Sequence, residues 1–271
     1  MLSGEDEQIT VAVSYWPEDG NPVKHAARES LESRGDVELH WLDPRVEHPE
    51  LQRDGVDMYH MAKQRQGSME DIRGFEENGT GVINTGEAVE AANDRVRSTE
   101  QLEKGGVPVP EWEFGTEGEV DIEPPAIVKD PSERFDTGYD HQIFLDEEIS
   151  YDGEKLVQRY HDGITVKGYR VPHRRERPGV YAELLDGHRN EGGEEVSPSP
   201  RLEGIVEDVH EATGLGMFEV DVILTGEDEY LVCDVNPFVS LRPVADASRL
   251  YADAVADSAP RTLQGYGRGE P

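Results

Sequence analysis

The stretch Phe218-Glu219-Val220-Asp221-Val222-Ile223-Leu224, Thr225-Gly226-Glu227-Asp228-Glu229, Tyr230-Leu231-Val232-Cys233-Asp234-Val235-Asn236-Pro237-Phe238-Val239-Ser240-Leu241-Arg242 decides how this chain is read. Two apolar, β-branched runs flank a short polar segment with a glycine, the pattern of a β-hairpin. Side chains alternate along a strand, so Asp234 and Asn236 leave the second strand on one face. A reversal near Glu227-Asp228 sets Asp221 roughly opposite Asp234, with the register left open by sequence alone. Two carboxylates and an amide oxygen then converge, a set of hard oxygen ligands suited to Mg²⁺ when phosphates supply the rest. The same residues also suit a plain acidic hairpin in an acidic chain.

The chain is acidic throughout. Its 271 residues hold 59 Asp and Glu against 26 Lys and Arg, a formal net charge of −33. Only six of the basic residues are lysines: Lys24, Lys63, Lys104, Lys129, Lys155 and Lys167. An acidic, lysine-poor surface suits a protein that works in concentrated salt, where screening weakens self-repulsion. The expectation is a halophilic source. Such a surface repels polyanions, so nucleic acid is not an expected partner. Hydrophobic residues make up 35% of the chain and fall in regular clusters, which argues for a packed core. The single cysteine, Cys233, allows no internal disulfide. The start Met1-Leu2-Ser3-Gly4-Glu5-Asp6-Glu7 has neither the basic region nor the apolar core of a signal peptide. No apolar run reaches the ~20 residues of a membrane span. These features predict a cytoplasmic protein without a membrane partner.

Outward from the hairpin, strands and helices alternate over the first 85 or so residues, the mark of a small parallel α/β unit. Strands are expected at 9–16, 36–42, 56–58 and 81–84, with helices at 23–34 and from a capping box at Ser68-Met69-Glu70-Asp71 to Asn78-Gly79. A long helical pattern runs from Glu87 to Lys104, with a break expected near Arg97-Ser98. Strands follow at Pro124–Asp130, Leu156–Tyr160, Ile164–Val171 and Val180–Leu185. Between them lie a polar loop, 131–141, and a longer one, 186–198; loops of this length are commonly functional. A helix is expected over Pro200–Thr213, closing at Gly214, and another over Val244–Ala256 before a loose tail. Lys129 ends an apolar strand at the long loop, where a point charge neutralises phosphate. Lys167 shares a strand face with Tyr169.

Taken in order, these pieces resemble the ATP-grasp superfamily. Asn84 to Val109, with Ala91, Asp94-Arg95 and Gly106-Val107-Pro108-Val109-Pro110, resembles the segment that leads into that fold. Ala126-Ile127-Val128-Lys129 is similar to its first phosphate-binding strand, and Leu156-Val157-Gln158-Arg159-Tyr160 to its adenine-reading linker. Val166-Lys167-Gly168-Tyr169-Arg170-Val171 resembles the strand after that linker; Asp221 and Asp234-Val235-Asn236 resemble its magnesium ligands.

The resemblance implies an α+β chain, an ATP-grasp fold of two α/β lobes sandwiching nucleotide, preceded by a small parallel α/β N-terminal domain. The segments would be 1–86 for that domain, 87–160 for the small lobe and lid, 161–258 for the large lobe with the hairpin, and 259–271 for a flexible tail. It implies ATP with Mg²⁺ or Mn²⁺. Arg95 and Lys129 would meet phosphates, main-chain groups of Gln158, Arg159 and Tyr160 the adenine, and Asp162 the ribose. Asp221, Asp234 and Asn236 would hold metal, Lys167 and Arg170 would serve catalysis, and Arg189, Asn190 and Arg242 would bind the acceptor. The loop 131–141 would be the lid.

Departures exist: Arg95 stands where a lysine is frequent, Arg159 where an acid is, and Val239-Ser240 replaces a common Pro-Gly. The first expectation for the acceptor is a RimK-like ligase joining a small-molecule acid to an amine through an acyl phosphate; His188-Arg189-Asn190-Glu191-Gly192-Gly193 resembles that branch's loop. The alternative is an inositol-polyphosphate kinase, whose signature Gln158 to Lys167 resembles, with the basic run His173 to Arg177 as a phosphate site. A nucleotide binder without turnover is the third. Oligomeric state stays open.

Overall fold

The computed structural model describes residues 8–259, apart from 17, 19, 133–140, 173–178, 186–192, 227–228 and 243. The N-terminal unit is a parallel sheet in the order β2-β1-β3-β4, built from β1 (Ile9–Ser14), β2 (Val37–Leu42), β3 (Met58–Met61) and β4 (Gly81–Val82). Its helices are α1 (Pro22–Glu32), the short α2 (Pro49–Asp54) and α3 (Gln66–Glu77). Asn21 starts α1 by accepting hydrogen bonds from Val23 N (3.0 Å) and Lys24 N (3.4 Å), with Pro22 set for the first turn.

The small lobe follows α4 (Gly86–Asn93) and α5 (Arg95–Lys104). It is an antiparallel sheet in the order β5-β8-β6-β7, from β5 (Trp112–Gly115), β6 (Ala126–Lys129), β7 (His141–Phe144) and β8 (Lys155–Arg159). The large lobe is antiparallel in the order β11-β10-β9-β12-β13, from β9 (Ile164–Val171), β10 (Gly179–Leu185), β11 (Gly193–Val196), β12 (Phe218–Gly226) and β13 (Glu229–Asn236). Helix α6 (Pro200–Thr213) covers one face, capped by Ser199 at Leu202 N (3.2 Å) and stopped by Gly214 at φ 72°. The apolar residues of α6, Leu202, Ile205, Val206 and Val209, pack on Val220, Val222 and Val232. This close approach needs Gly168 on β9, where a Cβ would meet Val220 and Val206 at 3.0 and 3.1 Å.

Two features join the N-terminal unit to the large lobe. Helix α7 (Ala247–Asp257) packs against α1, and one apolar core runs from Val11 and Val13 through Tyr251 and Val255 to Tyr169 and Val171. Asn84, just past β4, makes four hydrogen bonds: its amide nitrogen donates to Met217 O (2.7 Å) and Pro237 O (3.2 Å), and its oxygen accepts from Gly216 N (2.8 Å) and Met217 N (3.0 Å). A buried amide with every group paired fixes both ends of the hairpin against the first sheet.

Several boundaries differ from the sequence reading. Ser68 is not the N-cap of α3: the helix begins at Gln66, and Ser68 accepts from Arg65 N at 2.8 Å from its third position. The break between α4 and α5 falls at Asp94, three residues before Arg97, because Asp94 caps the new helix at Arg97 N (3.0 Å). The expected strand 56–58 lies at Met58–Met61. Edge strand β11 lies inside the expected loop 186–198, and edge strand β7 begins at His141, the last residue of the expected loop 131–141. Most of the expected lid (133–140), the basic run 173–177 and Arg189 and Asn190 lie outside the described residues.

Candidate nucleotide and metal site

The hairpin register places Asp221 directly opposite Asp234, and Glu219 opposite Asn236. On the other side β12 sets Asp221 against Lys167 and Glu219 against Tyr169. One face of the large-lobe sheet therefore carries Lys167, Glu219, Asp221, Asp234 and Asn236 together, while Val220, Val222 and Val232 face α6. Between Asp221 and Val222 the register shifts, so that Cys233 is an extra residue, a β-bulge. The bulge turns the Cys233 carbonyl outward, where Lys129 Nζ from the small lobe donates to it at 2.8 Å.

Charge on this face is tightly coupled. Lys167 is 6% exposed and its Nζ lies 3.1 Å from both Glu219 Oε1 and Asp221 Oδ1. Burial works against its charge, but Glu219 and Asp221 outweigh burial and hold the ammonium above its ordinary pKa. Burial pushes the Asp221 carboxyl up to about 6; Glu219 and Asp234 add to that and Lys167 opposes it. Glu219 escaped the sequence reading, although its place two residues before Asp221 on one strand puts both on one face.

These residues fit a magnesium ion. Asp221 Oδ1 is buried and, among the described residues, has the Lys167 ammonium beside it at 3.1 Å as its one close partner. Asp234 Oδ1 accepts only from the next main-chain nitrogen, Val235 N (3.1 Å). Asn236 Oδ1 accepts from Phe238 N (2.8 Å) and keeps a second lone pair. Among the described residues no three His, Cys, Asp or Glu side chains gather closely enough to hold a metal alone. A set of two carboxylates and an amide suits a cation that also takes oxygens from phosphate.

The small lobe offers the facing wall. Lys129 shares its sheet face with Ile127, Ile143 and Leu156, as register pairing dictates. Arg95 at the start of α5 is 7% exposed and donates from Nη1 to Asp130 O (2.9 Å). The gap lined by Arg95, Lys129, Cys233 and Asp234 is about 10 Å³, close to the room of one water. A larger hollow of about 330 Å³, lined by Val128, Asp130, Gln142, Tyr151 and Lys155, opens on the far face of this sheet, away from Lys129. In the linker, Gln158 is buried and Asp162 exposed. The N–H groups of Arg159 and Tyr160 already bond Glu111 O (2.8 Å) and Pro125 O (2.9 Å), so these two donors are not open to a base.

Arg170 does not join the others. It leaves β9 on the α6 face, with Nη1 on Gly216 O (2.6 Å) and Nε on Glu207 (3.3 Å), because it is an odd number of residues from Lys167. Its partners give it a structural place in the helix–sheet contact. Arg242 is exposed in the turn after Leu241, whose φ of 51° is strained for a leucine.

No family model matches the sequence, and no curated protein does either. Solved structures do match in shape. A RimK domain protein ATP-grasp from Sphaerobacter thermophilus is 19% identical with a TM-score of 0.68, over 91% of this chain and 99% of that one. The ATP-grasp ligase PsnB, solved with a precursor peptide and AMPPNP, is 16% identical with a TM-score of 0.68, over 95% and 99%. The VanG D-Ala:D-Ser ligase of Enterococcus faecalis is 11% identical with a TM-score of 0.69, over 93% and 100%. Identity this low speaks to architecture, and the architecture is consistent across them: the chain has the ATP-grasp fold.

Proposed function

We propose that this chain is an ATP- and Mg²⁺-dependent ligase that activates a carboxylate as an acyl phosphate for attack by an amine. The observation that carries the reading is the pairing of Asp221 with Asp234, Asn236 beside them, across from Lys129. Lys129 exchanges the Cys233 carbonyl for phosphate oxygens when the lobes part, a step the narrow gap requires. Arg95 lies at the same gap. Ile127 and Ile143 on one wall, with Ile223 and Leu231 on the other, are apolar surfaces for the base, next to Gln158 and the linker. Asp162 faces solvent at the ribose end. Bound through Asp221, Asp234 and Asn236, Mg²⁺ or Mn²⁺ supplies charge neutralisation on the phosphates. The γ-phosphoryl group passes to a carboxylate oxygen and ADP leaves; the amine then attacks the acyl carbon and phosphate departs. The protein contributes position and charge, with no side-chain nucleophile.

The ligase is preferred to a polyol kinase because a carboxylate asks for fewer cations than a polyphosphate does. A polyphosphate ring needs several free ones. Among the described residues Lys167 is paired with two carboxylates and Arg170 with Glu207, while Arg242 is exposed. The solved ligases of the same shape include a D-alanine–D-alanine ligase from Bacillus anthracis. The test is ADP release from Mg²⁺-ATP in high salt against panels of amino acids, peptides and inositol phosphates. Turnover that requires both an acid and an amine is expected. Phosphorylated polyol would make it a kinase, and nucleotide binding without turnover in any panel would make it a binder.

A further inference from the structure

Glu219 has no part in the ligand set above, yet both of its carboxylate oxygens are engaged. It is 4% exposed. Its Oε2 accepts from Ser240 N (2.8 Å) and Ser240 Oγ (3.0 Å). Its Oε1 accepts from Lys167 Nζ (3.1 Å) and Asn236 Nδ2 (3.4 Å). Four bonds leave no lone pair pointing outward, so Glu219 is neither an available metal ligand nor a base. Ser240 is itself held from elsewhere: its Oγ meets Tyr169 OH at 3.2 Å, and its carbonyl accepts from Asn21 Nδ2 at 3.3 Å.

The contrast with Asp221 is the telling point. Lys167 Nζ stands at 3.1 Å from both carboxylates, with its better-directed hydrogen bond to Glu219 Oε1, and it is the close partner of the buried Asp221 Oδ1. We propose that Glu219 is a positioning residue that shares the Lys167 ammonium with Asp221, so that Lys167 does not close on Asp221 alone in place of the metal, while it fixes the Asn236 amide. The inference rests on the metal assignment above. In Glu219→Gln the shape persists but the charge goes. Among the described residues Lys167 then has Asp221 as its remaining carboxylate partner and closes on it, in competition with the metal.

The test is Mn²⁺ binding to the full chain in high salt with AMPPNP, read from the electron-paramagnetic-resonance signal of free Mn²⁺. AMPPNP affinity in EDTA is measured alongside by calorimetry. Glu219→Gln is expected to weaken Mn²⁺ about 10-fold, the usual scale for losing a partner behind a metal ligand, with metal-free AMPPNP affinity unchanged. Adding Lys167→Met to that variant is expected to bring Mn²⁺ affinity back, an effect that a merely structural Glu219 would not produce. An unchanged Mn²⁺ affinity in Glu219→Gln, or no recovery in the double variant, overturns the inference and leaves the metal site standing. A wild-type protein that binds no Mn²⁺ with AMPPNP removes the site and the inference together. Should Glu219→Gln lose its melting transition, Ser240→Ala decides: it removes one hydrogen bond to Glu219, and about 3-fold weaker Mn²⁺ is expected, with no change overturning the idea.

Discussion

Among the described residues Asp234 is held by little besides its own neighbour's main chain, so the proposed ligand role predicts a side chain dispensable for folding and required for metal. Asp234→Ala is expected to keep the wild-type melting temperature within a degree or two and to abolish metal-dependent ADP release; an active variant refutes the ligand assignment. His60 presents the opposite case, a buried group with a folding role. It is 4% exposed and its Nε2 meets Tyr251 OH at 2.6 Å. Burial, with the nearby Lys24 charge, pushes its pKa down to about 3. The unfolded imidazole titrates near 6.5, so below that pH the unfolded chain takes a proton that the folded chain refuses. Its contribution is complete above pH 6.5 and is lost as pH falls toward 3, by up to about 1.4 kcal/mol for each unit. His60→Gln is expected to flatten the fall in urea stability between pH 6.5 and 4.5; an equal slope in both proteins counts against it. Of these two residues only Asp234 was legible in the sequence. It belongs to a local strand pattern, whereas the partner of His60 is 191 positions away.

Elements with a complete local signal were legible, and those defined by a partner were not. Helix α6 shows its proline, its apolar stripe and its closing glycine in the sequence, and its expected and observed bounds coincide at Pro200–Thr213. The hairpin also showed itself, but Asp221 was expected only roughly opposite Asp234 with the register open, and the structure sets the two directly opposite. The bulge at Cys233 was invisible because alternation on both sides of it looks unbroken. Edge strands β7 and β11 have one pairing partner each and weak apolar patterning, so nothing local separates them from loop. The α4–α5 break is a capping event. Asp94→Ala removes the acceptor of Arg97 N and is expected to cost about 1 kcal/mol in urea unfolding, with Asp94→Ser restoring most of it. Equal stability of the alanine and serine variants would show that the break is held by other contacts, such as the main-chain bond from Arg95 N to Pro131 O (2.8 Å).

At the scale of the whole molecule the sequence told of the lobes but not of how they lock, because α7 returns from the chain's end to complete the core over β1 and β3. Charge is the property that acts on all of it at once. A net −33 is what remains after every Lys and Arg is set against a carboxylate, and many of the described ion pairs are exposed, among them Arg28–Glu32, Lys104–Glu100 and Arg249–Asp253. Salt weakens both kinds of interaction, so magnitudes decide the sign. Exposed pairs are each worth about 1 kcal/mol at most. Repulsion among surplus carboxylates acts over a screening length of ~10 Å at 0.1 M salt and ~3 Å at 1 M, so most of it is removed across that range. The melting temperature is therefore expected to rise from 0.1 to 2 M KCl. Chloride is the right anion, since sulfate stabilises by exclusion from any protein surface and would blur the cause. A melting temperature that stays flat or falls in KCl would mean that the acidic surface is balanced by contacts stronger than those described, and that high salt is not the setting this sequence is built for.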